Sequence, residues 1–370
     1  MKRKILIIHD SMNAGGAERV LATLLSNLDA ERFDVTLLLL YKEGVFLKSL
    51  PSHIEVLGLS ESSSTFKERL VNHFYRIRNR IRRHRASKLL GGREFDVTVS
   101  FMEGPAAKLH QQFMHVSPVN LSWVHTDVKN GRWYDFWFKE DEERRFYQKL
   151  DRIAFVSKSA CDAFKSVYKT DAQTTVVYNP VDVETIRCNA EVPVENNDSR
   201  FTIVNVGRCV YQKNQGRLLE VARILKSRGL DFRILILGNG PLEAKLKQTA
   251  ATLDVAGHVE FMGYVGNPYP VMKTGDVFCM TSDVEGFGMV VAESLALSVP
   301  VVTTPVSGVT EMLARGGGIV TSFSAEEIAD TLELLMMHRD RLEKLKQEAQ
   351  TSVAQFDLHK VMADVSRFLS

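Results

Sequence analysis

The chain has 370 residues, of which 45% are hydrophobic and 25% are charged, and its formal net charge is +2. These values are typical of a globular protein of about two domains, and they exclude a disordered chain, a collagen and a disulfide-stapled miniprotein. The four cysteines form no Cys-x-x-Cys pair, which favours reduced thiols over metal ligands. No run of about 20 apolar residues predicts a membrane-spanning helix, and the apolar run at 5–8 is too short for a signal peptide.

The first half of the chain alternates short apolar runs with helical patterns. Residues 4–9 predict a buried strand, 13–16 a turn, and the apolar residues from Val20 to Leu28 a helix. Further strands are predicted at 35–40, 97–101, 120–124, 153–156 and 175–177.

The same alternation returns in the second half. Strands are predicted at 201–206, 232–237, 259–261, 277–280 and 299–303, and helices at 215–228, 241–252, from about 288, at 325–350 and at 355–369. Strands that alternate with helices predict parallel sheets covered on both faces, so the fold class is α/β with two doubly wound halves. Asn and Pro at 178–182 mark the junction between the halves.

Two glutamates lie near the start of the helix predicted from about 288. Glu285 is on the loop, between a strand and the glycines Gly286 and Gly288, and Glu293 is on the helix. The helix N-terminus can bind an anion, and carboxylates accept hydrogen bonds from sugar hydroxyls. The alternative is a solvated helix start whose glutamates complement the helix dipole.

Three other loops follow predicted strands and carry polar residues. Arg208 and Lys213 can bind phosphate oxygens, the alternative being two surface cations. Gly15-Gly16 permits close approach of a ligand but fits neither the P-loop nor the dinucleotide pattern, and a tight turn is the alternative. His125 can donate to a sugar hydroxyl or to a developing oxyanion, although a lone histidine is more often structural.

These loops together resemble the retaining GT-B glycosyltransferases of family four. Glu285 and Glu293 match its Glu-x7-Glu signature, and Gly207-Arg208 with Lys213 matches its diphosphate loop. Asn214 stands where many members have Gly. The motifs occur in the order of the family and span nearly the whole chain, the remaining matches being 15–19, 179–182 and 238–241.

The resemblance implies a GT-B architecture with two Rossmann-like domains facing across a cleft. The acceptor-binding domain would cover residues 1–182 and the donor-binding domain 183–354. The last helix, at 355–370, would pack back on the first domain.

The resemblance also implies roles for the matched residues. Arg208 and Lys213 would neutralise the leaving diphosphate, and Glu293 would bind the ribose hydroxyls. Glu285 would hold the donor sugar, and His125 would contact that sugar near the reacting carbon, so Arg208, Lys213, Glu285 and His125 are the expected catalytic residues. The other expected donor-binding residues are Gly16, Gly263, Tyr264, Val265, Gly286, Phe287, Gly288, Met289 and Val290.

The implied reaction needs neither a metal nor a cofactor. Arg and Lys would take the place of a metal ion at the diphosphate, and the chain has no Asp-x-Asp triplet. The anomeric configuration would be retained, with the leaving phosphate accepting the proton of the acceptor.

A strongly basic run lies within the first half. Residues 67–93 hold ten basic residues and one acidic residue. Arg76, Arg80 and Arg83 share one face of a predicted helix over 66–90, which favours binding to anionic lipid or to the phosphates of a lipid-linked acceptor. A solvated helix face is the alternative, and no nucleic-acid-binding module accompanies the run. The apolar face of the predicted helix consists of Phe66, Leu70, Phe74, Ile77 and Ile81.

The expected activity is transfer of a sugar from a nucleotide-diphosphate sugar, expected to be a UDP-sugar, to a glycan or lipid-linked acceptor in surface polysaccharide or glycan assembly. The expected location is cytoplasmic, at the inner face of the cell membrane. Two alternatives remain: a GT-B-like nucleotide-sugar epimerase, and a nucleotide-sugar-binding protein without catalysis.

Overall fold

The computed structural model describes residues 2–13, 15–63, 75–131, 137–138, 141–194 and 198–370. The chain divides into two compact units, which we call the first unit (Met1–Pro180 with Val361–Ser370) and the second unit (Val181–Lys360). The predicted boundary lay two residues further along the chain.

The first unit contains a seven-stranded sheet in the order β3-β2-β1-β4-β5-β6-β7, and every pairing is parallel. Its strands are β1 (Arg3–His9), β2 (Phe33–Tyr41), β3 (Glu55–Ser60), β4 (Val97–Ser100), β5 (Val119–Val124), β6 (Arg152–Phe155) and β7 (Gln173–Val176). The α-helices that begin in this part of the chain are α1 (Gly16–Asn27), α2 (Tyr75–Leu90), α3 (Pro105–Phe113), α4 (Glu142–Gln148) and α5 (Lys158–Val167).

The second unit contains a six-stranded parallel sheet in the order β10-β9-β8-β11-β12-β13. Its strands are β8 (Phe201–Val206), β9 (Phe232–Leu237), β10 (Val259–Gly263), β11 (Val277–Met280), β12 (Val301–Thr303) and β13 (Gly318–Val320). Its α-helices are α6 (Val183–Asn189), α7 (Gln215–Ser227), α8 (Glu243–Thr252), α9 (Tyr269–Lys273), α10 (Met289–Ala296), α11 (Val309–Met312), α12 (Ala325–Met337) and α13 (Arg339–Ser352), and α14 (Leu358–Leu369) begins at its end.

The central strands are apolar because helices cover both faces of each sheet. Ile5 to Ile8 in β1 are at most 4% exposed, and Ile5 pairs with Val35 on one side and Val97 on the other. Burial on both faces gives a continuous apolar run instead of the alternation seen in half-exposed strands.

The strand order places one topological switch point in each sheet. It lies between β1 and β4 in the first unit and between β8 and β11 in the second. Ligands of open α/β sheets bind outside the carboxyl ends of the strands at such points. The loops that follow these four strands are therefore the candidate site loops of each unit.

The structure corrects several predicted elements. Two edge strands, β3 and β13, were not predicted, because one is only partly buried and the other has three residues. The helix predicted at 325–350 is two helices, separated at His338 by a non-helical backbone conformation (φ −120°, ψ 80°). The strand predicted at 299–303 begins at Val301.

The chain end also differs from the prediction. Residues 353–356 form a short 3₁₀ helix in the second unit, where Val181 N donates to Phe356 O at 2.9 Å and the Phe356 ring lies 5.2 Å from that of Phe287. The last helix therefore begins at Leu358 instead of 355, and only residues from Val361 belong to the first unit. There Phe368 packs edge-on against Trp123, with 5.4 Å between the ring centroids.

Candidate active site

In the second unit, an ion pair joins the loops that follow β8 and β11. Lys213 Nζ lies 2.5 Å from Glu285 Oε1, and the same carboxylate oxygen accepts a hydrogen bond from Ser282 Oγ at 2.7 Å. The side chains of Lys213 and Glu285 are 25% and 12% exposed. The fold thus brings together a cation and a carboxylate that are 72 residues apart in sequence.

Asp283 connects the same two loops a second time. Its carboxylate accepts from Asn214 Nδ2 at 2.9 Å and from Arg217 Nη2 at 2.7 Å, and its N–H donates to Gln212 O at 2.8 Å. Arg217 also donates to Thr281 O at 2.7 Å. These contacts hold the backbone on both sides of the Lys213–Glu285 pair.

Asn214 has a left-handed backbone (φ 44°, ψ 50°) and is the N-cap of α7. Asparagine tolerates this region better than other non-glycine residues do. Its Oδ1 accepts a hydrogen bond from Arg217 N at 3.3 Å, which caps the helix. This explains why Asn can replace the Gly of many family members at this position.

The Gly238-Asn239-Gly240 turn follows β9 and lies against the loop after β8. A Cβ added at Gly238, whose φ is +128°, would lie 2.1 Å from Gly207 O. A Cβ at Gly240 would lie 2.5 Å from Cys209 O. Both glycines are required because the backbone of residues 207–209 passes directly over them.

Glu293 lies in α10 and is 3% exposed. Tyr269 Oη donates a hydrogen bond to its Oε1 at 3.3 Å. Gly288, the N-cap of α10, has φ +82°, and a Cβ there would lie 2.7 Å from Val309 Cγ2. Since both glutamates are largely buried, the solvated helix start considered as an alternative does not describe this region.

The other donor-site residues predicted in the second unit lie on loops or at element ends. Arg208 is exposed on the loop after β8. Gly263 ends β10 with φ +68°, and Tyr264, which follows it, is 60% exposed. The 286–290 segment forms the turn into α10, where the chain is buried at 286–288 and partly exposed at 289–290.

In the first unit, His125 follows β5 and is 8% exposed. Its ring lies 4.6 Å from the ring of Phe101 and 6.1 Å from that of Trp123. Burial, with a smaller contribution from the charge of His9, lowers the pKa of His125 to about 3, so the imidazole is neutral near pH 7. Gly16 begins α1, and a Cβ there would meet no described atom within 4 Å.

Three further titratable residues lie at the switch point of this sheet: His9 ends β1, Asp10 follows it, and Glu103 is in the loop after β4. Burial lowers the pKa of His9 to about 4 and raises those of Asp10 and Glu103 to about 7. Within the described part of the chain, no partner hydrogen-bonds either ring nitrogen of His9, Asp10 Oδ1, Glu103 Oε2 or His125 Nε2. Sequence reasoning missed Asp10 and Glu103, although both lie just after strands.

The described side chains of α2 form a buried face that includes two arginines. Arg80 and Arg83 are exposed, as expected of a basic outer face, whereas Arg78 and Arg82 are buried at 4% and 6%. The guanidinium of Arg78 lies 3.9 Å from the centroid of the Trp137 ring, and Arg82 Nη2 donates to Tyr41 Oη at 2.7 Å.

The buried positions of α2 repeat every four residues. They are Arg78, Arg82, Ala86 and Leu90, which lie on one face of the helix because residues four apart are neighbours on its surface. Of the predicted apolar face, Ile81 is partly exposed. The residues at 66–74 and the side chains of Arg76 and Ile77 lie outside what the structure describes.

Two family models match the chain in succession. Residues 14–185 match Glycosyltransferase Family 4, and residues 189–352 match Glycosyl transferases group 1. The chain therefore belongs to the group 1 glycosyltransferases of family four, and it is a glycosyltransferase with the GT-B fold. Of the functions weighed from the sequence, the transferase is the one that this membership supports.

Similar proteins include curated relatives and solved structures. N-acetylgalactosamine-N,N'-diacetylbacillosaminyl-diphospho-undecaprenol 4-alpha-N-acetylgalactosaminyltransferase of Campylobacter jejuni is 27% identical, with 99% of each chain covered. The GDP-mannose-dependent alpha-(1-6)-phosphatidylinositol monomannoside mannosyltransferase of Mycobacterium tuberculosis is 29% identical over 54% of this chain and 56% of that one. Anabaena HepE, solved with UDP-glucose, superposes with a TM-score of 0.78 at 16% identity and 99% coverage of each chain.

None of the described helices combines the length and the apolar character that crossing a bilayer requires. The described residues contain no group of three or more His, Cys, Asp and Glu side chains arranged to hold a metal ion.

Proposed function

We propose that this glycosyltransferase transfers a sugar from a UDP-sugar to a hydroxyl group of a glycan or lipid-linked acceptor, with retention of the anomeric configuration. The observation that carries the proposal is the Lys213–Glu285 pair at the switch point of the second unit. A diphosphate needs a cation there, and a donor sugar needs a hydrogen-bond acceptor for its hydroxyls.

Each candidate site residue of the second unit has a distinct role in the proposed reaction. Arg208 and Lys213 neutralise the diphosphate as its bond to the sugar breaks, which stabilises the leaving group without a metal ion. Glu285 and the backbone of 286–290 hold the sugar. The buried carboxylate of Glu293 accepts hydrogen bonds from the ribose hydroxyls of the donor. The segment 263–265, which includes the exposed ring of Tyr264, contacts the nucleotide base of the donor.

Two residues of the first unit also have roles in the proposed reaction. His125, neutral near pH 7, hydrogen-bonds the donor sugar near the reacting carbon. Gly16 lets the loop before α1 approach the diphosphate and the acceptor, since its position leaves open space where a side chain would stand. The leaving phosphate accepts the proton of the acceptor hydroxyl.

The choice of a UDP-sugar and a lipid-linked acceptor is supported by the similar proteins. HepE was solved with UDP-glucose, and the name of the Campylobacter relative specifies a diphospho-undecaprenol acceptor. The mycobacterial relative is named for GDP-mannose, so the base of the donor is the first thing to test.

Arg80 and Arg83, whose side chains are exposed on α2, suit an acceptor of that kind. We propose that Arg76, Arg80 and Arg83 bind the phosphates of a lipid-linked acceptor at the cytoplasmic face of an anionic membrane. Each cation near such a surface contributes about 1 kcal/mol at physiological ionic strength. The Arg80→Gln/Arg83→Gln variant should sediment less with phosphatidylglycerol vesicles than the wild type, while Lys245→Gln/Lys247→Gln on α8 should sediment like it. Equal sedimentation of all three proteins contradicts the membrane contact.

A nucleotide panel tests the donor site. Thermal melting is measured with UDP, GDP, ADP and CDP, each with and without EDTA, on the wild type and on Glu293→Ala. A ligand at 100 times its Kd stabilises the protein by about 2.7 kcal/mol, a shift of a few degrees. We expect UDP alone to shift the melt, EDTA to change nothing, and Glu293→Ala to lose the shift. Glu260→Ala, an exposed glutamate of β10, is the matched control.

The outcomes separate the parts of the proposal. If only GDP raises the melting temperature, the donor is a GDP-sugar instead of a UDP-sugar. If EDTA abolishes the rise, nucleotide binding requires a metal ion, which contradicts metal independence. Once the nucleotide is known, its sugars are screened with an undecaprenyl-diphosphate-linked acceptor. The anomeric configuration of the product, measured by NMR, then tests retention.

A further inference from the structure

Glu103 connects the ends of two neighbouring strands in the first unit. It lies in the loop after β4, its side chain is fully buried, and its Oε1 accepts three hydrogen bonds. The donors are His125 N and Thr126 N, both at 2.8 Å, and Thr126 Oγ1 at 2.9 Å. One carboxylate oxygen thus holds the backbone of the residue whose imidazole is proposed to meet the donor sugar.

The backbone next to Glu103 is specialised for this position. Gly104 has φ 74° and ψ −121°, a conformation that glycine adopts and other residues do not reach without strain. Pro105 follows at the first position of α3. The chain therefore turns sharply into the helix immediately after Glu103.

The ring of His125 is held by packing. Phe101 lies 4.6 Å from it in a tilted arrangement, and Trp123 is stacked on it with 6.1 Å between centroids. These contacts restrict the plane of the imidazole but supply no hydrogen bond to Nε2, which has no partner among the described residues. The location of the ring along the strand end depends on the backbone, and the side chain seen to bind that backbone is Glu103.

We propose that Glu103 is a positioning residue for glycosyl transfer, acting by anchoring the main chain of His125 so that its imidazole reaches the donor sugar. This inference rests on the proposed role of His125. Glu103 itself need not touch either substrate. The proposal rests on Oε1, which accepts from the backbone N–H groups of His125 and Thr126.

A double-mutant cycle tests whether Glu103 acts through His125. The four proteins are the wild type, Glu103→Leu, His125→Ala and the double variant. The rate measured is release of UDP from UDP-glucose and UDP-N-acetylglucosamine, or of GDP from GDP-mannose, without added acceptor. Misplacement of a reacting group by about 1 Å costs on the order of 100-fold in rate.

The expected pattern is strong coupling. Glu103→Leu should lower kcat by about 10- to 100-fold and leave KM for the donor within about threefold. The double variant should be no slower than His125→Ala alone. Glu103→Gln should recover most of the rate, because its amide oxygen can accept the same three hydrogen bonds.

Asp151→Asn is the matched control. Asp151 Oδ2 accepts from Asn120 N at 2.7 Å, so it is a carboxylate that holds the opposite end of the same strand, β5. We expect this variant to show no coupling with His125→Ala. All variants are compared at equal folded fraction, checked by circular dichroism.

The possible outcomes separate this inference from the role of His125 on which it rests. If His125→Ala lowers kcat, and the fold-losses in kcat of His125→Ala and Glu103→Leu multiply in the double variant, the two residues act independently. The anchoring role of Glu103 is then wrong, and the role of His125 stands. If His125→Ala has the wild-type rate, the proposed role of His125 and this inference both fail. The ¹⁵N signals of the His125 imidazole provide a readout besides activity: they should shift in Glu103→Leu and return in Glu103→Gln, and unchanged signals in Glu103→Leu contradict anchoring.

Discussion

The loops at the two switch points differ in how their polar groups are satisfied. In the second unit the groups are paired: Lys213 binds Glu285, and Asp283 accepts from Asn214 and Arg217. In the first unit the titratable residues at the strand ends are buried, and several of their atoms have no partner in the described part of the chain.

Burial also gives the two sites different charge. In the first unit the pKa values of His9 and His125 are lowered to about 4 and 3, while those of Asp10 and Glu103 are raised to about 7. These four groups are therefore largely uncharged between about pH 4 and pH 7. In the second unit, by contrast, Lys213 and Glu285 form one ion pair and Arg217 and Asp283 form another.

This difference in pairing and charge determines how each site can respond to a ligand. In the proposed reaction, the diphosphate would compete with Glu285 for Lys213, so one ion pair would replace another in the second unit. Among the described residues of the first unit, no ion pair involves His125, and its neutral imidazole suits the uncharged hydroxyls of a sugar. Removal of the Lys213 cation should consequently have a larger effect than substitution of any of these groups in the first unit.

The largest effect is expected from Lys213→Ala. Removing the cation leaves the developing diphosphate charge without this partner, which should slow turnover by about 100- to 1,000-fold. The measurement is UDP release from the UDP-sugar under saturating donor. Lys247→Ala, which removes a cation from an exposed ion pair of the same unit, is the control and should retain the wild-type rate. A drop of less than about fivefold in Lys213→Ala would mean that Arg208 suffices alone.

The second-largest effect is expected from Glu293→Ala. Loss of a charged acceptor for the ribose hydroxyls costs about 1.5–3 kcal/mol, or about 10- to 100-fold in the Kd of UDP by calorimetry. Tyr269→Phe, which removes only the hydroxyl that donates to Glu293, should weaken binding by about tenfold or less. Equal effects of the two variants would show that the tyrosine, and not the carboxylate, contacts the nucleotide.

Glu103→Gln should change how stability depends on pH. The pKa of Glu103 is raised to about 7 in the folded state from 4.5, so the folded protein binds a proton that the unfolded chain has lost. The stabilisation from this protonated carboxyl is present below about pH 4.5 and is lost as pH rises to about 7. Glu103→Gln should therefore gain stability relative to the wild type over that range, by up to about 1.4 kcal/mol per pH unit.

Urea unfolding at pH 5, 6, 7 and 8 measures this difference. Neighbouring His9 and His125 titrate in both proteins, so their contribution cancels in the comparison. Glu260→Gln, an exposed glutamate, should show no such trend. A difference between Glu103→Gln and the wild type that does not vary with pH would mean that Glu103 is ionised throughout.

Substitutions of Asn214 should separate the contribution of backbone strain to stability from that of the side-chain helix cap. Asn214→Ala loses the helix cap, worth about 1 kcal/mol, and retains a left-handed backbone that costs alanine about 1–2 kcal/mol. Asn214→Gly loses the cap but removes the strain. Urea unfolding should thus show the glycine variant to be more stable than the alanine variant by at least about 1 kcal/mol. The reverse order would mean that the left-handed conformation is not retained.

The smallest effect tests the competition between Glu285 and the diphosphate. Glu285→Gln keeps the size of the side chain but weakens its hold on Lys213. UDP should then bind slightly more tightly, by about threefold, equivalent to roughly 0.6 kcal/mol, while transfer from the UDP-sugar becomes slower. Weaker UDP binding in this variant would contradict the exchange of ion pairs. Ser282→Ala, which removes another hydrogen bond to Glu285, provides an intermediate case.

Much of the fold and of the second-unit site could be predicted from local sequence. The central strands are continuous apolar runs because helices cover both faces, and the motif residues Arg208, Lys213, Glu285 and Glu293 follow strands or begin helices. The edge strands β3 and β13 and the break at His338 could not be predicted, since pairing at a sheet edge and a single non-helical residue leave little trace in composition.

The sequence was sufficient for features that depend on short-range pattern. The alternation of strands and helices, the glycines beside tight turns and the spacing of the two glutamates all arise within a few residues, where backbone conformation and hydrogen bonding are decided locally. Only the tertiary structure decided which distant groups meet. Glu103 contacts His125 across 22 residues, Lys213 contacts Glu285 across 72, and α2 turns Arg78 and Arg82 inward while Arg80 and Arg83 face solvent. Such contacts follow from strand order and helix packing, because the free energy that selects them comes from burial shared among many residues far apart in the chain.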